Sequence, residues 1–250
     1  MNVESAGLSS AGRRKNNEDA MLVAPTLGIY AVADGMGGHV GGAVASQLVV
    51  TTLEAFRRRT ADPMATWPDT IDARLGHGEN VILSGVRLAH AAVSAQRRGK
   101  LAQMGSTLAA LVIDAGRIVV GNVGDSRVYR LRDGRLAQLT RDHSMYAELE
   151  AAGITDLGPR AQSPHACVIT RAVGLPDAFE ADVCARSVRA GDTYLLCTDG
   201  LFEGLSDAAI ATILGTPAGA DELCRALVAG AIAGGSRDNV SAVVLRVHAN

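Results

Sequence analysis

Between Ser106 and Asp142 the sequence divides into four short apolar runs, "STLAALVID", "RIVVGNVGD", "SRVYRLRDG" and "RLAQLTRD". Ala-Gly, Asp-Ser and Asp-Gly separate them. Each run is rich in β-branched residues and too short for a globular helix, and each separator is a turn former. This predicts an antiparallel meander. It argues against a doubly wound sheet, which needs a helix between successive strands.

The flanking regions extend the pattern. Residues 21–24 and 28–33 read as short strands split by Pro25, and "DTYLLCTDG" and "NVSAVVLRV" as two more. Helical spacing runs from Val40 to Arg59 through Val44, Leu48, Leu53 and Phe56, with three arginines at the end suited to a helix C-terminus. It recurs over 79–98 through Val81, Val86, Ala89 and Val93, and again over about 207–214 and 218–233. A weak helix from Met145 to Ala152 precedes a stretch containing proline and glycine. The expectation is an α+β fold of antiparallel sheets flanked by helices.

A chain of 250 residues can build a substantial core, and its 48% hydrophobic and 3% aromatic content makes that core aliphatic. The net charge of −2 gives no field suited to polyanions, so nucleic acid is not an expected partner. Cys167, Cys184, Cys197 and Cys224 form no CxxC pair. With no leader-like segment and no apolar stretch of about 20 residues, the expectation is reduced thiols in a cytoplasmic protein without a membrane span.

The stretch "AVADGMGGHVGG" places Asp34 at the end of an apolar run and glycines beside it. It lacks the Gly-Lys-Ser/Thr of a P-loop and the sixth-position glycine of a dinucleotide fingerprint, leaving the carboxylate as the chemical feature. Others resemble it. Glu18 and Asp19 stand in "NNEDA", Asp125 in "GNVGDSRVY", Asp199 in "LLCTDGLFE" and Asp238 in "GGSRDNVS". A lone Asp-Gly is usually a turn, as at 133–134. Several aspartates at strand ends can instead meet at one sheet edge, where they repel unless a cation lies between them. Hard divalent ions take such oxygen ligands.

The ordered set "RKNNED", "VADGMGGH", "MGSTL", "VGDSRVY", "LTRDHS", "ITRAVG", "LLCTDGL" and "SRDNVSAVV" resembles the metal-dependent serine/threonine protein phosphatases of type 2C (the PPM family), particularly bacterial members. The resemblance implies a four-layer αββα sandwich, two antiparallel sheets with a helix pair on each outer side. It implies one catalytic domain over residues 1–250 with a flap-like segment at about 141–170. Asp34 would bridge two Mn²⁺ or Mg²⁺ ions, the Gly35 carbonyl would ligate one, and Asp199 and Asp238 the other. Asp19 and Glu18 would act through metal-bound waters, and Asp125 matches the position that helps bind a third metal. A hydroxide bridging the metals would attack phosphoserine or phosphothreonine in line, with Arg14, or alternatively Arg13, on the phosphoryl oxygens.

Two departures stand out: "SSAG" places Ser10 where relatives commonly carry an aspartate, and the segment from Gly12 to Asp19 is one residue shorter than usual, which lets Arg13 compete with Arg14. Met36 stands, as in bacterial relatives, where some eukaryotic relatives have a histidine. His39 is expected to pack in its loop, His143 and His165 to be exposed in the flap-like segment, and Ser106 and Thr107 to pack or cap near the site. The chain has no C-x5-R thiolate loop, no DxDxT for an aspartyl-phosphate intermediate and no GxSxG elbow, which argues against those phosphatase chemistries and a serine hydrolase. The implied partners are proteins phosphorylated on serine or threonine, a Ser/Thr kinase among them, met by a monomer in the cytoplasm. A catalytically inactive, phosphoprotein-binding member is the alternative; retention of Asp34, Asp199 and Asp238 weighs against it.

Overall fold

The computed structural model describes residues 2–62, 64–67, 71–160, 163–176 and 178–249, with the side chain of His39 outside the described set. Eleven strands are described in chain order: β1 (Asn2–Ser10), β2 (Asp19–Ala24), β3 (Ile29–Met36), β4 (Gly105–Ser106), β5 (Leu108–Asp114), β6 (Arg117–Val123), β7 (Arg127–Arg132), β8 (Arg135–Gln138), β9 (Asp182–Ser187), β10 (Thr193–Cys197) and β11 (Val240–His248). Six helices accompany them: α1 (His39–Thr60), α2 (His77–Gln96), α3 (Met145–Ala151), α4 (Asp199–Gly204), α5 (Asp207–Leu214) and α6 (Ala220–Ala233).

All strand pairings are antiparallel. One sheet runs β1-β11-β10-β7-β8, and the other runs β2-β3-β5-β6-β9 with β4 paired to β3. The strand pleat has a period of two residues, so each strand feeds two cores. In β3, Ile29, Ala31 and Ala33 pack toward α1 and α2, while Tyr30 and Val32 face the opposite sheet. In β10, Leu195 and Cys197 join the core under α4, α5 and α6, while Tyr194 and Leu196 fill the space between the sheets. The result is the expected helix–sheet–sheet–helix order.

The turns partly follow the sequence reading. Ala115 and Gly116 between β5 and β6 both have positive φ (46° and 75°), as do Asp133 and Gly134 between β7 and β8 (51° and 72°). Positive φ at both central residues is the tight hairpin geometry that matches strand twist. The third separator behaves differently. β6 pairs with β5 and β9, whereas β7 pairs with β8 and β10, so the chain changes sheets between Val123 and Arg127. The four runs are therefore two hairpins in two sheets, not one meander. Asp125 sits at that crossing. Strands β1 and β9 lie outside the expected set, as does α4, which begins at Asp199 where the sequence reading ends a strand.

Candidate metal centre

Pleat and register explain why distant carboxylates meet. In β2, Ala20, Leu22 and Ala24 pack toward the helices, so the alternate positions Asp19, Met21 and Val23 face the inter-sheet space. In β3 the same alternation turns Asp34 inward, and Asp19 and Asp34 are direct cross-strand partners. Asp199 opens α4 immediately after β10, and Asp238 lies two residues before β11. With Asp125 at the sheet crossing, five separate segments bring an aspartate to one end of the apolar slot.

The electrostatics show that they share a site. The Asp34 carboxyl is held well above the usual carboxylate range, first by burial and then by Asp199, Asp19, Asp125 and Asp238. Burial also pushes Asp19 up to about 7, against hydrogen bonds from Ser241 and Thr198, with Asp199 and Asp238 adding repulsion. Asp125 is pushed up to about 7 by burial, with Asp199 and Asp142 contributing. Asp199 is raised by burial and by Asp238, partly offset by a hydrogen bond with Asp34. A group of carboxylates that raise one another's proton affinity equally favours a multivalent cation.

The donor set fits such an ion. Among the described residues, the buried oxygens Asp19 Oδ1, Asp125 Oδ1 and Asp199 Oδ1 have no hydrogen-bond partner, a costly condition that a hard divalent cation relieves. Among the described residues no three or more Asp, Glu, His or Cys side chains are grouped closely enough to hold a metal ion as they stand. The fit therefore rests on the shared field and the orphaned oxygens.

Surrounding side chains fix these carboxylates. Asp19 Oδ2 accepts from Thr198 Oγ1 at 2.8 Å and from Ser241 Oγ at 2.6 Å. Thr107 accepts from the Asp34 amide on its hydroxyl at 2.9 Å and donates its own amide to the Asp34 carbonyl at 2.8 Å. Buried Asn239 staples the 11–18 segment beneath the site. It donates to the Ala11 and Asn16 carbonyls and accepts from the Glu18 amide at 2.8 Å. Sequence reasoning missed Thr198, Asn239 and Ser241, although all three adjoin the aspartates within "CTDG" and "RDNVS". The glycines after Asp34 allow close packing: a Cβ on Gly35 would collide with the Gly42 carbonyl, and one on Gly42 with the Glu18 carboxylate.

A cleft of about 540 Å³ opens onto Asp34 and Asp238, lined also by Arg13, Arg14, Lys15 and Met36. Arg14 donates Nη2 to Asp238 Oδ2 at 2.7 Å and Nε to the Arg237 carbonyl at 3.0 Å. A second cleft of about 530 Å³ opens onto Asp125 and Asp199, with Arg160, Glu203 and Arg237 in its walls. Arg160 reaches Asp142 at 3.1 Å and stands 3.8 Å from Asp125.

His143 departs from its expected exposure. It is buried, accepts from the Gly124 amide on Nδ1 at 3.1 Å and donates its own amide to the Gly124 carbonyl at 2.9 Å. Nε2 faces Asp182 Oδ2 at 3.2 Å, which places the ring proton there. Burial lowers its proton affinity. His143 thus clamps the turn that carries Asp125. His165 is partly buried and accepts from the Tyr146 amide on its carbonyl.

Residues 6–226 match the family model for protein phosphatase 2C. The chain belongs to that family. Serine/threonine protein phosphatase PstP of Mycobacterium tuberculosis is 36% identical over 94% of this chain but 43% of its own length. This member therefore spans less than half of that relative. The serine/threonine phosphatase stp of Listeria innocua is 31% identical over 87% of this chain and 83% of its own. Among solved structures, the catalytic domain of PstP in complex with two manganese ions superposes with a TM-score of 0.83 at 34% identity over 99% of both chains. The serine/threonine phosphatase of S. agalactiae superposes with a TM-score of 0.86 at 29% identity over 99% of this chain and 100% of that one. These 2C phosphatases share the two antiparallel sheets and flanking helices described above.

Proposed function

We propose that residues 1–250 form one catalytic domain that hydrolyses phosphoserine and phosphothreonine in proteins, using Mn²⁺ or Mg²⁺, with 141–170 as a flap beside the site. The observation that carries this reading is the meeting of five aspartates from separate segments, three with buried orphaned oxygens. Asp34 would serve both core ions, with the Gly35 carbonyl on one and Asp199 and Asp238 on the other. Asp19 would hold its place through waters, and Asp125 would serve a third ion. Bound there, divalent cations supply an activated water for in-line attack at phosphorus and neutralise phosphoryl charge.

The chain's own residues do the rest. Asp238 and the Arg237 carbonyl hold two nitrogens of Arg14, which leaves Nη1 to donate to a phosphoryl oxygen in the cleft that Arg14 shares with Asp34. That arrangement favours Arg14 over Arg13 as the phosphate ligand. Thr107 holds the Asp34 backbone, and Asn239 holds the loop carrying Arg14. The substrates are phosphoproteins, a Ser/Thr kinase among them, and the domain acts as a monomer in the cytoplasm. Among the described residues no helix is long and apolar enough to cross a membrane.

The test is phosphate release from a phosphothreonine peptide with and without Mn²⁺, repeated for Asp34→Asn. Activity is expected only with metal and only in the wild type, the substitution costing at least about 10²-fold, as for loss of a principal electrostatic group. Turnover that persists in chelator, or in Asp34→Asn, defeats the reading.

A further inference from the structure

Arg14 of the first cleft donates to the backbone of Arg237 in the second, and exposed basic side chains gather around that contact. Arg13, Arg14 and Lys15 line one side, and Arg237 lines the other. The Arg14 guanidinium joins them, since it bonds both Asp238 and the Arg237 backbone. This clustering is local: the chain has 24 Lys and Arg against 26 Asp and Glu. Arg13, Lys15 and Arg237 are exposed, and among the described residues none of their side chains has a hydrogen bond or ion pair. The acidic groups in the same clefts are Asp238, which takes Arg14, Glu18 and Asp34 in the first, and Asp125, Asp199 and Glu203 in the second. Asp34, Asp125, Asp199 and Asp238 are the carboxylates assigned to the cations, which leaves the exposed basic side chains to face the peptide.

Exposed cations are most often simply solvated. Here, however, they flank the place where a phosphoryl group must lie if Arg14 and Asp34 receive it. A peptide delivering that group carries its neighbouring residues over Lys15 on one side or Arg237 on the other. We infer that this ridge selects phosphosites with a second anionic group close in sequence, either an acidic side chain or another phosphate. The inference rests on the phosphatase reading and deepens it to a substrate class.

The experiment compares three phosphothreonine peptides that differ only beside the phosphosite: alanines, glutamates, or a second phosphothreonine. With Mn²⁺ present, kcat/KM is expected to be about 3- to 10-fold higher for either anionic peptide at low salt, the scale of a few exposed ion pairs. The advantage should fade toward unity in high salt. In the double variant Lys15→Glu, Arg237→Glu the ratio between anionic and neutral peptides should fall to one or below. The ratio is the quantity read, because a general loss of activity does not change it. A gain confined to the doubly phosphorylated peptide supports the inference and assigns the anion as phosphate. Equal kcat/KM for all three peptides overturns it, as does a ratio untouched by the double substitution. Binding of the same labelled peptides, followed by fluorescence anisotropy, separates the two readings. A binding preference without turnover overturns the phosphatase reading alone, and equal affinities overturn the selectivity.

Discussion

Thr198 and Ser241 occupy one oxygen of Asp19 and leave the other buried and unpartnered at the slot end. Ser241 is itself held by Ser9 at 2.7 Å, and Ser9 by Asn17. The Asp19 carboxylate is thus aimed by a chain of hydroxyls and an amide. Outer partners of this kind govern metal affinity as well as ligand orientation. Thr198→Val keeps the side-chain shape and removes the donor. It is expected to weaken Mn²⁺ binding about 10- to 100-fold, read by titration calorimetry; unchanged affinity would show that Asp19 needs no such support.

Helix α6 begins under strand β1, and the two are tied by one carboxylate. Its N-cap, Gly219, offers no side chain, and instead Glu4 Oε1 accepts from the Ala220 amide at 2.7 Å. This satisfies one of the four orphan donors at the helix start and places negative charge at the positive end of the dipole. The same contact lowers the proton affinity of Glu4, helped by His248. Because its folded-state pKa is depressed, the contribution is present above the ordinary glutamate range and lost as pH falls through the folded value. Glu4→Ala is expected to cost about 1 kcal/mol in urea unfolding at neutral pH. The difference from wild type should shrink in acid; a constant difference would mean that the loss is one of packing alone.

Across the molecule, the sandwich places its densest negative charge where the two sheets part. Asp19 and Asp125 have folded-state pKa values near 7, above the ordinary 3.8. Groups raised in this way favour the folded state most fully at low pH, and that contribution is lost as pH rises through about 7. In chelator the melting temperature is therefore expected to fall between about pH 5 and pH 8. Saturating Mn²⁺ should reverse the slope, because deprotonated carboxylates bind the ion more tightly and binding stabilises the folded state. Scanning fluorimetry with and without Mn²⁺ checks both slopes. Parallel curves would separate these aspartates from metal binding.

Much of this arrangement is local and so was legible in the residues. The 207–214 helix, the Ala115-Gly116 and Asp133-Gly134 turns and the inward-facing apolar positions follow from side-chain period and φ preference, which neighbouring residues set among themselves. The aspartates could be named for the same reason, each marking the end or start of an apolar run. Other features depend on partners far away in the chain. The half-buried, serine- and glycine-bearing β1 is a strand because β11 pairs with it, 232 residues away at Ser9 and Ser241. The change of sheet at Gly124–Ser126 has the same turn chemistry as a hairpin, and only packing against two different sheets distinguishes them. His143 looks like any loop histidine until Gly124 and Asp182 close around it. The sequence alone thus determined which groups were candidates to bind a cation and most of the segments that form strands or helices, because those depend on short-range chemistry. Only the tertiary structure decided that the carboxylates share one field and that Asn239 and Thr198 support them, because those contacts join segments that no local rule brings together.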